Sequence, residues 1–138
     1  MDNSFIGDTL FNVYKALKTQ IEMEFNSIGI GYGQIKILMK LFTDVDASMK
    51  QSDLSLSLGI DKSNTSRSIM KLKQKDYVEV VLLNKRDRAV RLTNNGKLLK
   101  PIVLQTLNNI SSRMTNDISA KDLQITNQVL QIMEGNLE

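Results

Sequence analysis

From about Ser4 to Asn26 the apolar residues Phe5, Ile6, Leu10, Phe11, Val13, Tyr14, Leu17, Ile21 and Phe25 recur at three- and four-residue steps. That spacing predicts one long amphipathic helix. Gly29, Gly31 and Gly33 punctuate a turn, and Ile35, Ile37, Leu38, Leu41 and Phe42 predict a second, well-buried helix ending before Thr43. Ser48-Met49-Lys50-Gln51 fits the S-x-x-Q capping box, so Ser48 is expected to cap a short third helix. That helix carries Leu54 and Leu58 on one face and stops at Gly59, a residue suited to a left-handed helix end. Asp61 is placed to cap a fourth helix running to about Lys75. Two helices joined by Leu58-Gly59-Ile60-Asp61 make the helix-turn-helix pattern.

The period then changes. Tyr77 to Leu83 is rich in β-branched residues and predicts a strand, and Ala89 to Leu92 predicts a second, short one. Asn84-Lys85-Arg86-Asp87-Arg88 joins them as a basic hairpin tip. Thr93 is expected to cap a long helix carrying Leu98, Leu99, Ile102, Val103, Leu107, Ile110 and Met114. Pro101 beyond its first turn implies a kink or a late helix start. Ser119-Ala120-Lys121-Asp122 resembles a capping box opening a last helix with Leu123, Val129, Leu130 and Met133. The predicted order is α-α-α-α-β-β-α-α.

Composition narrows the chemistry. The 138 residues suit a single domain with one core. There is no Cys, which excludes disulfides, thiolate nucleophiles and Cys-based zinc sites, and no His, the usual base near neutral pH and the commonest metal ligand. An enzyme would have to work with carboxylates, Lys, Tyr or Ser, and no convincing carboxylate pair is present, so the chain is not expected to be an enzyme, to need a cofactor or to bind a metal. Asp44-Val45-Asp46 offers too few oxygen ligands for calcium and reads as a solvated turn. No apolar run approaches the ~18–20 residues of a membrane span. The start MDNSFIGDTL lacks the basic opening of a secretory signal. A cytoplasmic protein with no membrane partner is the expectation.

The net charge of +3 conceals an asymmetry. Residues 60–100 hold eleven Lys/Arg against four acids, whereas the rest of the chain holds seven against eleven. A basic middle between acidic ends suggests one surface for a polyanion. At one hundred degrees per residue, Thr65, Ile69 and Leu72 of the fourth helix turn inward. Ser63, Asn64, Arg67, Met70, Lys71 and Gln74 lie opposite. Arg can fork onto guanine and Asn onto adenine in a major groove. Exposed helix faces are ordinarily polar, so this row alone is ambiguous. The hairpin strengthens it: Lys85, Arg86, Arg88 and Arg91 fall within seven residues, and Arg at such a tip suits a narrow minor groove.

Leu54-Ser55-Leu56-Ser57-Leu58-Gly59-Ile60-Asp61-Lys62-Ser63-Asn64-Thr65-Ser66-Arg67 resembles the pattern L-A-x-x-L-G-[VI]-D-K-S-T-V-S-R, Lys71 to Val78 resembles K-L-x-x-K-G-[LY]-[IV], and Asn84-Lys85-Arg86 through Arg91-Leu92-Thr93-Asn94-Asn95-Gly96 resembles a D-x-R wing closed by L-T-x-x-G. These are marks of the MarR (multiple-antibiotic-resistance regulator) family. The resemblance implies a mainly α fold with a small β-wing. In it a winged helix-turn-helix (about 32–93) is flanked by long dimerisation helices (about 4–26 and 94–136) within a single domain, 1–138. It implies a homodimer on double-stranded DNA at a pseudo-palindromic operator, with Ser63, Asn64, Ser66 and Arg67 at recognition-helix positions and Arg86 as the wing arginine. Together with the charged and polar neighbours Lys62 and Lys71 on the helix and Asn84, Lys85 and Arg88 in the wing, these are the expected DNA contacts, and repression by promoter occlusion is expected over activation.

Three departures stand out. Asn84 replaces the wing carboxylate that steadies the arginine, and in an alternative register Asp87 holds Arg88 or Arg86, which leaves open which arginine reaches the groove. Lys50 replaces the helix-capping Thr. Asp76 replaces a Gly before the first wing strand, a change Asp tolerates because it enters the left-handed region better than most residues. Tyr14, Tyr32, Phe42 and several Met residues are candidates to line a pocket for a small aromatic effector, although such residues at helical spacing also make ordinary core. The rival reading is a winged helix used as a protein-interaction module with weak or no specific DNA binding.

Overall fold

The computed structural model describes residues 5–138. Residues 1–4, which include the acidic start and the Ser4 expected to open the first helix, lie outside the described residues. The elements are α1 (Ile6–Phe25), a single 3-10 turn (Asn26–Ile28), α2 (Tyr32–Leu41), β1 (Met49–Lys50), α3 (Gln51–Leu58), α4 (Lys62–Gln74), β2 (Val78–Leu82), β3 (Arg88–Leu92), α5 (Asn94–Met114) and α6 (Ala120–Leu137). They divide into two compact units, residues 1–106 and 107–138.

In the first unit the expected helical faces pack together. Phe25, Ile37, Leu38, Leu41, Leu54, Leu72, Val78, Val90 and Val103 are its fully buried apolar side chains. Burying such side chains is the main force holding the helices on the sheet, at roughly 1.5–3 kcal/mol each. Between α3 and α4 the core contains one polar pair. Ser55 Oγ donates to Thr65 Oγ1 (2.9 Å), and Thr65 in turn donates to the Asp61 carbonyl (3.0 Å). Each buried hydroxyl is therefore satisfied, and the pair fixes the approach of the two helices.

Caps explain most element boundaries. Gly59 ends α3 at φ +63°. A Cβ there would meet no neighbour within 4 Å, so Gly59→Ala tests backbone strain alone. It is expected to cost about 1 kcal/mol in urea unfolding; an unchanged stability would mean the turn relaxes freely. Asp61 Oδ1 accepts from Asn64 N–H (2.7 Å) at the start of α4, Thr93 Oγ1 accepts from Gly96 N–H (3.0 Å) at the start of α5, and Ser119 Oγ accepts from Asp122 N–H (3.1 Å) at the start of α6. Asp76 takes the left-handed conformation (φ +61°) expected where the resemblance has Gly.

Three expectations are corrected. Ser48 does not cap α3, because Met49 and Lys50 instead pair antiparallel with Val90 and Ala89 of β3. The helix opens after Lys50, which has no side-chain cap bond. The sheet therefore has three strands, in the order β1-β3-β2. Nor does α5 start late. Its capped start at Thr93 lies well upstream of Pro101, which sits inside the continuous helix.

In the second unit, the end of α5 turns through Asp117 (φ +61°) into α6, which buries none of its residues. Among the described residues no helix is long and apolar enough to cross a membrane, and no group of three or more His, Cys, Asp or Glu could hold a metal ion.

Candidate nucleic-acid interface

α4 presents the row read from the sequence. Lys62, Ser63, Asn64, Ser66, Arg67 and Lys71 are all exposed, while Thr65, Ile69 and Leu72 are buried beneath them. A chain of side-chain bonds runs along this face. Asp61 Oδ2 accepts from Asn64 Nδ2 (2.8 Å), and Asn64 Oδ1 accepts from the Arg67 guanidinium. The cap residue thus sets the amide, and the amide sets the arginine. Ser66 Oγ, nearer α3, accepts from Gln51 Nε2 (3.3 Å).

The wing is the β2–β3 hairpin, closed by Leu83 N–H donating to the Asp87 carbonyl (2.9 Å). Asn84 builds its tip: Oδ1 accepts from the N–H groups of Arg86 and Asp87 (both 2.8 Å), and Nδ2 donates to Asp87 Oδ2 (2.9 Å). A carboxylate at position 84 could accept the same backbone bonds but could not make the bond to Asp87, because only the amide donates as well as accepts. The alternative register is not realised. Asp87 holds neither Arg86 nor Arg88; its carboxylate faces Asn84 and Lys50 Nζ (3.5 Å). The Asn84 amide, with the Lys50 charge beside it, holds the Asp87 carboxyl below its ordinary value. Its contribution to stability is therefore full above the usual aspartate range and is lost as pH falls through the lowered value. Arg91 leaves the basic set, because it pairs with Glu79, its direct cross-strand neighbour. Lys85, Arg86 and Arg88 stay exposed, with no carboxylate partner among the described residues.

Helix and wing converge. Lys62 of α4 shares a cleft of about 400 Å³ with Arg86 and Arg88 of the wing and with Gln51, Ser52 and Ser55 of α3. Ser52 was not singled out from sequence, and Gln51 only as the last position of the Ser48 capping pattern; their signal was their place at the start of the helix before the turn. Asn64 and Lys71 instead border a second groove of about 800 Å³ between α1, the start of α2 and α4. There Tyr14 and Tyr32 meet edge to face, with centroids 5.9 Å apart, and Lys18 and Lys36 stand 5.9 and 5.4 Å from the Tyr32 ring. Burial and the neighbouring Tyr14 raise the Tyr32 hydroxyl above its usual value. Phe42 and the described Met residues do not line this groove. Phe42 lies in the core at the opposite end of α2, ten residues or about 15 Å from Tyr32. Asp46 of the acidic turn pairs with Lys97 (2.9 Å).

No family model matches the sequence, and no curated protein does. Solved structures do match it. A MarR transcriptional regulator from Methanosarcina mazei Go1 is 30% identical, with a TM-score of 0.87 over 99% of this chain and 92% of its own. A protein from Listeria monocytogenes assigned to the same family and complexed with 26mer DNA is 18% identical, with a TM-score of 0.84 over 99% and 90% of the two chains. CouR from Rhodococcus jostii RHA1, bound to p-coumaroyl-CoA, is 16% identical, with a TM-score of 0.83 over 94% and 91%. The last two establish shared fold alone. The first two are described as regulators of transcription. With a 30%-identical member aligned over almost its whole length and the winged helix-turn-helix in place, this chain belongs to the MarR family of transcriptional regulators.

Proposed function

We propose that the protein is a homodimeric, sequence-specific DNA-binding repressor that occludes a pseudo-palindromic operator. One observation carries the reading: Lys62 of the recognition helix and Arg86 and Arg88 of the wing border a single cleft, as a backbone gripped between a major- and a minor-groove element requires. Lys62, Lys71, Lys73 and Lys85 supply affinity through phosphate contacts and counterion release. Asn64, Arg67 and a wing arginine supply base reading, and Ser63 and Ser66 offer hydroxyls on the same face.

The dimer reading rests on uncovered apolar surface. α1 exposes Ile6, Leu10, Phe11 and Val13, and α6 exposes Ile125, Val129, Leu130 and Ile132. Stripes of this size on a monomer are the usual mark of an interface. Residues 32–93 are then the DNA reader, and 4–26 and 94–136 the helices that pair two chains. The tyrosine- and lysine-lined groove is a seat for a small aromatic effector, and one relative of the same fold was solved with p-coumaroyl-CoA.

Selection from a randomised duplex pool at near-physiological salt tests the reading. The expected product is a palindrome with half-sites about one helical turn, ~10 bp, apart, bound with an affinity that falls steeply as salt rises. Binding blind to sequence would remove the operator. Absence of any binding would favour a winged helix that engages proteins instead.

A further inference from the structure

Lys50 stands at a junction of three elements. It is the N-cap residue of α3, yet its side chain makes no cap bond. Its backbone pairs with Ala89 of β3, and its Nζ lies 3.5 Å from Asp87 Oδ2 at the wing tip. Asp87 is the one acid between Asn84 and Leu92. In a cleft meant for a polyanion an unbalanced carboxylate has two harmful outlets: it captures Arg86 or Arg88, or it repels phosphate. The observed geometry avoids both. Asn84 and Lys50 both meet Asp87 Oδ2, and neither arginine pairs with Asp87.

We propose that Lys50 is a positioning residue for the wing: by taking up the Asp87 carboxylate it keeps that charge off the neighbouring arginines and leaves Arg86 and Arg88, with Lys62, free to close on a phosphodiester in the cleft between them. The inference rests on the DNA-binding reading above. The cleft suits that ligand by its donor set: three cations, the Gln51 amide and the Ser52 hydroxyl, with its single acid already paired. A residue able to cap α3 at position 50 would steady the helix but leave Asp87 unbalanced. The chain therefore gives up a local cap for a contact 37 residues away in sequence.

The test uses the full-length protein and a duplex recovered from the randomised pool, with Lys50→Thr, Asp87→Asn and the double variant titrated by fluorescence anisotropy. Lys50→Thr supplies a capping hydroxyl, so its melting temperature should hold or rise, while its affinity falls about five- to tenfold. Asp87→Asn should bind within about twofold of the parent, and in the double variant it should restore most of the loss. Loss of affinity that Asp87→Asn leaves untouched would mean that Lys50 contacts DNA itself, and an unchanged Lys50→Thr affinity would equally overturn the proposal. A second reading needs no DNA. The Asp87 carboxyl, followed by carbon NMR, should titrate at higher pH in Lys50→Thr than in the parent. An unmoved midpoint overturns the pairing of Lys50 with Asp87. A parent protein that binds no duplex, with the midpoint still moving, overturns the DNA-binding reading and the phosphate seat while that pairing stands.

Discussion

Replacing Gly96 by alanine is expected to lower stability by about 3 kcal/mol, among the largest single-methyl effects this chain can show. Gly96 lies in the first turn of α5, where its N–H donates to the Thr93 cap. A Cβ built there falls 2.0 Å from the Tyr77 carbonyl oxygen and 3.0 Å from its carbonyl carbon. Neither atom belongs to a flexible side chain that could swing aside. The same carbonyl accepts from Thr93 N–H (3.1 Å), and Tyr77 N–H donates to Leu72 (3.0 Å). Making room means separating the start of α5 from the start of β2 and breaking the bond that joins them. Urea unfolding at matched protein concentration measures it, since a dimer would make stability depend on concentration. A loss under about 0.5 kcal/mol would show that the approach is looser than the geometry states.

Arg67→Ala carries the second large effect, on binding rather than on folding. Its guanidinium stands on the exposed face of α4, held by Asn64, which is held by Asp61. A pre-oriented fork loses less freedom on meeting a base edge. Removing it should cost about 1–3 kcal/mol on the best duplex and relax preference at one base position per half-site. Arg67→Lys should recover part of the affinity but little of the preference, because an ammonium cannot present two parallel donors. If Arg67→Ala weakened every duplex equally, the residue would be a phosphate contact, and the base-reading role would pass to another side chain.

What the sequence disclosed and what it hid divide by range. Asp61, Gly59, Thr93 and Ser119 were legible because caps and left-handed turns depend on residues three or four positions apart, and Asp76 because it stands where the resemblance has a Gly. The inward row of Thr65, Ile69 and Leu72 was legible for the same reason. Ser48 misled because a sound local capping pattern lost to pairing with a strand forty residues on. Arg91 looked free until the hairpin register set it opposite Glu79. The partner of Asp87 was hidden likewise, since nothing local ties position 50 to position 87. The groove near Tyr32 was half seen: Tyr14 and Tyr32 line it, but Phe42 closes the helix that Tyr32 opens and lies in the core at its far end.

The short β1 strand has a consequence for the order in which the molecule assembles. Its partners Val90 and Ala89 lie in the middle strand of the sheet, so that sheet cannot be completed until α3, the turn and α4 have brought residues 49 and 90 together. Closing a loop of about forty residues costs entropy that the strand pairing returns only at the end. Hydrogen exchange at Ala89 and Val90 should therefore report on the folding of the whole reader. A peptide cut to 60–93 would hold the recognition helix and hairpin in sequence but lack the strand that completes their sheet.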